Sequence, residues 1–117
     1  MLGEVHILLL QRGRSIPFER WLAGLKDKRA QAIIRIRLNR VRAGNFGDAR
    51  AVGSGVEELR IDFGPGYRVY FGRRSAVIVV LLGGGSKRSQ TKDIACAQEY
   101  WKEYLNAEDP DDCTVPG

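Results

Sequence analysis

Apolar and polar residues alternate along Glu57–Phe63 and again along Tyr67–Phe71. A period of two marks a strand with one face in a core and the other outside it. Gly64-Pro65-Gly66 separates the two runs and supplies hairpin chemistry, because it cannot continue a strand. A polar turn, Gly72-Arg73-Arg74-Ser75, leads into the continuous apolar run Ala76–Leu82. Such a run predicts a central strand covered on both faces. It ends in the glycine-rich exit Gly83-Gly84-Gly85-Ser86-Lys87. Residues 57–87 therefore predict a three-stranded meander with arginines on its open face.

The remaining elements follow from the same reading. Glu4–Leu10 predicts a first strand, buried through Ile7-Leu8-Leu9-Leu10. After the turn Gln11-Arg12-Gly13-Arg14, Ser15 is a candidate cap and Pro17 suits a first helical turn. Phe18, Leu22 and Leu25 then recur at helical spacing beside Trp21, which predicts a first helix. Asp27 is the expected cap of a second helix running to about Ala43, with Ala30, Ile34, Leu38 and Val41 on one face. Gly44-Asn45 closes that helix with a left-handed cap. Phe46–Val56 reads as a glycine-punctuated loop. Ile94, Ala97, Trp101 and Tyr104 predict a last helix over about Lys92–Asn106. On these stripes Trp21, Trp101 and Tyr104 are expected in the core.

The predicted order is βααβββα, an α+β fold. A four-stranded, mostly antiparallel sheet carries an N-terminal helical hairpin, and a C-terminal helix closes an edge or end. Residues 1–106 form one domain. Residues 107–117 hold two prolines and four acids without periodicity, and predict an acidic, disordered tail.

Charge adds the next constraint. The chain carries 19 Lys and Arg against 14 Asp and Glu, a net +5. Residues 1–107 hold all 19 bases and 10 of the acids, a net of +9, and arginine outnumbers lysine 14 to 5. Arginine forks match phosphate geometry bidentately. A small, arginine-rich basic domain points to a polyanionic partner, most often nucleic acid. No apolar run approaches the ~20 residues needed to span a bilayer. Val5–Leu10 is too short for a signal peptide, and Cys96 and Cys113 have no metal or redox spacing. A cytoplasmic protein with reduced thiols is expected, without a membrane partner.

Candidate chemistry is concentrated in the meander. His6, the one histidine, alternates with apolar neighbours, so a structural role is expected and no histidine-based triad can be assembled. The glycine-rich exit lacks the spacing of a nucleotide-binding P-loop. In alternating strands Leu59 and Ile61 face the core, while Glu58 and Arg60 face the other way. Arg68 and Tyr70 do the same in the next strand. A tight hairpin then brings Arg60 and Arg68 together, where like charges need an anion between them. That anion is either Glu58, giving a cross-strand ion cluster, or a bound phosphate held with Lys87.

The ordered set Gly44-Asn45-Phe46-Gly47-Asp48, Glu58-Leu59-Arg60-Ile61, Gly64-Pro65-Gly66-Tyr67-Arg68-Val69-Tyr70 and Leu82–Lys87, with Gln90 and Asp93-Ile94, resembles the RelE/ParE toxin superfamily. With Phe18-x-x-Trp21-Leu22-x-x-Leu25-Lys26-Asp27 upstream, the resemblance is to the addiction-module killer branch, called HigB-like. It covers about residues 5–105. It implies the toxin of a type II toxin–antitoxin module, with a RelE-like fold. It further implies metal-independent, ribosome-associated mRNA cleavage, in which a ribose 2′-hydroxyl attacks the adjacent phosphate. No cofactor is expected. The partners implied are a helix-turn-helix antitoxin, mRNA and ribosomal RNA.

By this resemblance Arg68 stabilises the phosphate, Arg60 shares that role or orients the 2′-hydroxyl, and Lys87 is a third cation. Glu58 is the candidate base. Gln90, Tyr70, Arg73 and Arg40 are candidate substrate contacts. The chain departs from some ribosome-dependent members at Gln90-Thr91-Lys92-Asp93-Ile94, which lacks their tyrosine or histidine–tyrosine pair. The ParE side of the superfamily, which inhibits DNA gyrase without RNA chemistry, is the alternative. A further one is a module acting through antitoxin binding and operon repression.

Overall fold

The structure is a computed structural model and describes residues 4–107. The predicted acidic tail and Cys113 lie outside the described residues, apart from Ala107.

Strand β1 (His6–Leu9) precedes two helices, α1 (Pro17–Gly24) and α2 (Lys28–Arg42). Four strands follow: β2 (Ala49–Gly53), β3 (Val56–Ile61), β4 (Tyr67–Ser75) and β5 (Ile78–Ser86). A 3-10 turn at Lys87–Ser89 feeds α3 (Gln90–Ala107). The class is α+β, as the periodicity predicts. The sheet has five strands in the order β1-β5-β4-β3-β2. It is antiparallel except for the parallel pairing of β1 with β5.

Helix α2 starts and stops as its sequence dictates. The Asp27 carboxylate accepts from the backbone N–H groups of Arg29 and Ala30, at 2.9 and 3.3 Å. At the other end Gly44, at φ 91°, donates to Val41 O, and Asn45 N–H donates to Arg40 O, both at 2.8 Å. These are the paired bonds of a Schellman cap, which needs a residue without a Cβ at the left-handed position. Ala30, Ile34, Leu38 and Val41 are all buried.

Several expectations change. The loop assigned to Phe46–Val56 contains β2, a fifth strand paired antiparallel to β3. Its short, exposed Ala-Arg-Ala-Val pattern carries little periodicity, and backbone pairing makes it a strand. Gly53, Ser54 and Gly55 all take positive φ in the turn to β3. Strand β1 is a half-exposed edge strand, not a buried one, because only β5 flanks it. The polar turn predicted at Gly72–Ser75 is the end of β4, and the chain reverses instead at Ala76 and Val77. Gly83–Ser86 belongs to β5 rather than to a loop. Its glycines leave space that other elements fill: a Cβ on Gly84 would lie 2.3 Å from the Trp21 ring. Helix α1 is capped at Ile16 without a side-chain bond, so Ser15 is not its cap. Helix α3 starts at Gln90 and lies across a sheet face rather than closing an edge.

The sheet thus sits between two helical layers. One core joins α1 and α2 to Leu59, Ile61, Val69, Phe71, Val79 and Leu81. The other joins Ala97 and Trp101 of α3 to Val56, Tyr70, Val80 and Leu82. Trp101 and Tyr104 stack at 5.4 Å between ring centroids. No helix among the described residues is long and apolar enough to cross a membrane.

Candidate phosphate-binding site

Alternation along β3 and β4 sets the site. Arg60 and Arg68 are direct cross-strand partners, and Glu58 is opposite Tyr70. Even-numbered residues of both strands therefore face α3 rather than α1 and α2. That face is not open. The first turns of α3 cover it, and Glu58 and Arg68 are 1% and 4% exposed.

Glu58 is the centre of the cluster. Its Oε2 accepts a hydrogen bond from Gln90 Nε2 at 2.6 Å. Its Oε1 lies 3.7 Å from Arg68 Nε and 3.9 Å from Arg60 Nε. These are ion pairs too long to count as hydrogen bonds. Glu58 Oε1, Arg68 Nε and Tyr70 Oη are buried without a hydrogen-bond partner. Burial raises the Tyr70 pKa, and the negative Glu58 and Asp93 nearby push the same way. The phenol therefore stays protonated across the physiological range. Arg68 also donates from Nη1 to its neighbour's carbonyl, Tyr67 O, at 3.1 Å.

The Gly64-Pro65-Gly66 hairpin completes one side. Gly66 sits at φ 86°, and its amide donates to Phe63 O at 2.9 Å. Lys87 N–H donates to Gly66 O at 2.9 Å, which ties the β5 exit to the hairpin. A Cβ on Gly66 would lie 3.5 Å from both Arg68 Nη1 and Lys87 Cβ. Both distances are ordinary contacts, and the positive φ is what favours glycine here. Arg60 is partly exposed, with 29% of its side chain accessible, and Lys87 is exposed.

The structure thus brings together Glu58, Arg60, Arg68, Tyr70 and Gln90, with Lys87 beside Arg68 across Gly66. It does not bring Arg73 or Arg40 there. Arg73 falls on the opposite face, where its Nε donates to Glu57 at 2.6 Å and its guanidinium lies 4.0 Å from the Phe46 ring. Arg40 is exposed on α2, in the layer across the sheet. Tyr70 is buried and does not present its ring to solvent.

One contributor is invisible to pattern reading. Arg37 on α2 donates to Arg60 O at 2.5 Å, Phe46 O at 2.9 Å and Asp48 O at 3.2 Å. It fastens the backbone of Arg60 and the chain before β2 to the helical layer. Burial lowers its pKa against the opposing charge of Asp48. In sequence it is one arginine among several on α2. The available hint is its i+3 place after Ile34, beside the apolar stripe. Among the described residues no group of three or more His, Cys, Asp or Glu converges as a metal-ligand set.

An uncharacterized protein of Haemophilus influenzae is 46% identical over 91 residues, spanning 78% of this chain and 92% of its own. No protein-family model matches the chain, and no solved structure does. The chain belongs to the family of that Haemophilus protein.

Proposed function

We propose that this family consists of RelE-like toxins of type II toxin–antitoxin modules, and that the chain inhibits translation by cleaving mRNA. The observation that carries the reading is the cross-strand pairing of Arg60 with Arg68, with Lys87 beside Arg68 across the bare Gly66 hairpin. Three cations around one turn suit a dianionic, pentacoordinate phosphate. The net +9 of residues 1–107 supports a nucleic-acid partner. A helical hairpin, a mostly antiparallel sheet and a C-terminal helix fit a RelE-like fold.

In this mechanism the 2′-oxygen forms a bond to phosphorus and the bond from phosphorus to the 5′-oxygen breaks. The products are a 2′,3′-cyclic phosphate and a 5′-hydroxyl. Arg60 holds an equatorial oxygen, and Arg68, 4% exposed, adds positive field from behind it. Lys87 gives the leaving oxygen its proton, and the proton of the 2′-hydroxyl passes to solvent water. Glu58 is too deeply buried to reach a ribose. Its role here is to position the two arginines, with Gln90 holding its other oxygen. A helix-turn-helix antitoxin is the proposed partner, and the ribosome the proposed place of action.

The test is induced expression with mapping of mRNA 5′ ends. Arg60→Ala and Lys87→Ala are the informative variants, because both side chains reach solvent. Each is expected to lose growth arrest and at least tenfold of the new 5′-hydroxyl ends, while folding as the parent does. Full arrest with intact mRNA and loss of DNA supercoiling would instead identify a gyrase inhibitor.

A further inference from the structure

Strand β1 pairs with β5 only as far as Leu81. Beyond that point the outer side of β5 is bordered by α1 and α3 instead of a strand. A cleft of about 140 Å³ opens there, floored by Gly83 and Gly84 and walled by Trp21, Pro17 and Tyr100. A wider basin of about 380 Å³ shares those three walls and adds Arg12 and Arg20 at its rim. Tyr70 and Asp93 are the polar side chains of the inner cleft with Cys96 beside them.

We propose that this cleft is a nucleobase pocket, taking the base of one nucleotide of single-stranded RNA with its phosphate on the basic rim. The walls and the size of the cleft argue for it. The walls are flat and aromatic, and base–aromatic stacking is the general mode of single-strand binding. Tyr70, 1% exposed, closes the inner end of the cleft, with its hydroxyl buried toward Glu58. The volume equals about four to five waters at ~30 Å³ each, room for one planar ring and little more.

The rim supplies the matching charge. Arg20 is exposed, and the neighbouring surface adds Arg14. Arg12 is oriented by Glu103 at 2.9 Å and lies 4.4 Å from the Tyr100 ring, which holds that ring at the mouth. The cleft also adjoins the cation cluster. Gly84 and Gly85 pair with Val69 and Arg68 across β4, and Tyr70, which lines the cleft, pairs with Glu58 across β3. The occupant would then be a nucleotide flanking the bond to be cut. The choice of RNA rests on the proposed function, whereas the cleft and its aromatic walls do not.

The test uses the full chain, a short single-stranded RNA and an abasic version of the same strand. Trp21 reports from the wall, and Trp101 is buried in the α3 core as a fixed background. Quenching by the RNA is expected, lost in Trp21→Phe and weak with the abasic strand. Tyr100→Ala is expected to weaken binding roughly 5- to 150-fold, the equivalent of about 1–3 kcal/mol per stacked base. Tyr100→Phe should restore it. Cys96→Phe, which fills the cleft from an exposed position next to Tyr100, should block binding too. Wild-type affinity in both Tyr100→Ala and Cys96→Phe, or equal binding of the abasic strand, overturns the pocket. So does displacement of bound signal by a proline-rich peptide but not by RNA. A chain that shows Tyr100-dependent binding yet cuts no RNA retains the pocket and loses the nuclease. A Tyr100→Ala chain that cuts at the parental rate and sites retains the nuclease and loses the pocket.

Discussion

The two faces of the sheet are built differently. Toward α1 and α2 the buried sheet residues are apolar or aromatic: Leu59, Ile61, Tyr67, Val69, Phe71, Val79 and Leu81. Toward α3 the same strands bury Val56, Tyr70, Val80 and Leu82, but also Glu58 and Arg68. Taking a carboxylate and a guanidinium out of water costs several kcal/mol per ion, and pairing returns only part of that. The first face is what folding alone requires. The second keeps a buried ion pair where a leucine and a methionine would fit the strand pattern equally well. The surplus charge lies directly behind Arg60, at the end of the sheet where Lys87 emerges.

The largest test of this contrast removes one partner. Arg68→Ala leaves the buried Glu58 carboxylate with Gln90 and the more distant Arg60 Nε, and is expected to cost about 3 kcal/mol in urea unfolding. The double replacement Glu58→Leu with Arg68→Met is expected to be neutral or to stabilise by about 1–4 kcal/mol, while abolishing RNA cleavage. If the double variant unfolds more easily than Arg68→Ala alone, the pair is a structural necessity and the contrast fails.

On the apolar face Ile34→Ala removes a fully buried side chain. A loss of about 2–5 kcal/mol is expected, with cleavage per folded molecule unchanged. Next in size is the α2 cap. Asp27→Ala should cost about 1 kcal/mol, seen as a lower urea midpoint with the same slope.

The smallest effect at neutral pH belongs to Tyr70→Phe. The hydroxyl lacks a partner, so its removal should leave stability unchanged or slightly improved. The difference emerges in alkali. The Tyr70 pKa is raised by burial above its ordinary 10.0, so the folded state holds its proton longer than the unfolded state does. That contribution is fully present below about pH 10 and is lost as pH rises toward the folded value. The parent should therefore destabilise above pH 10 more steeply than Tyr70→Phe. Identical alkaline profiles would remove Tyr70 from the buried charge environment.

Much of this was legible beforehand. The α2 stripe, its Asp27 cap and its Gly44 closure follow from spacing and backbone chemistry, which act within a few residues. The β3–β4 hairpin and the shared face of Arg60 and Arg68 follow from a period of two and a short turn. The β2 strand was not legible, since Ala49–Gly53 has too little apolar contrast and exists through pairing with β3. Nor was Arg37, whose three carbonyl partners lie on segments 9 to 23 residues away.

Short windows of the chain decide where it is helix, where it alternates, where it turns, and which cations share one strand face. Those outcomes depend on steric and hydrogen-bonding preferences inside short windows. Tertiary structure alone decided that α3 would cover that face. By doing so it turned Glu58 from an exposed candidate base into a buried carboxylate ion-paired with Arg60 and Arg68. It also left β5 without a strand neighbour beyond Leu81, which opened the cleft beside Tyr70. Burial is a property of what packs on top, and no period along the chain encodes that.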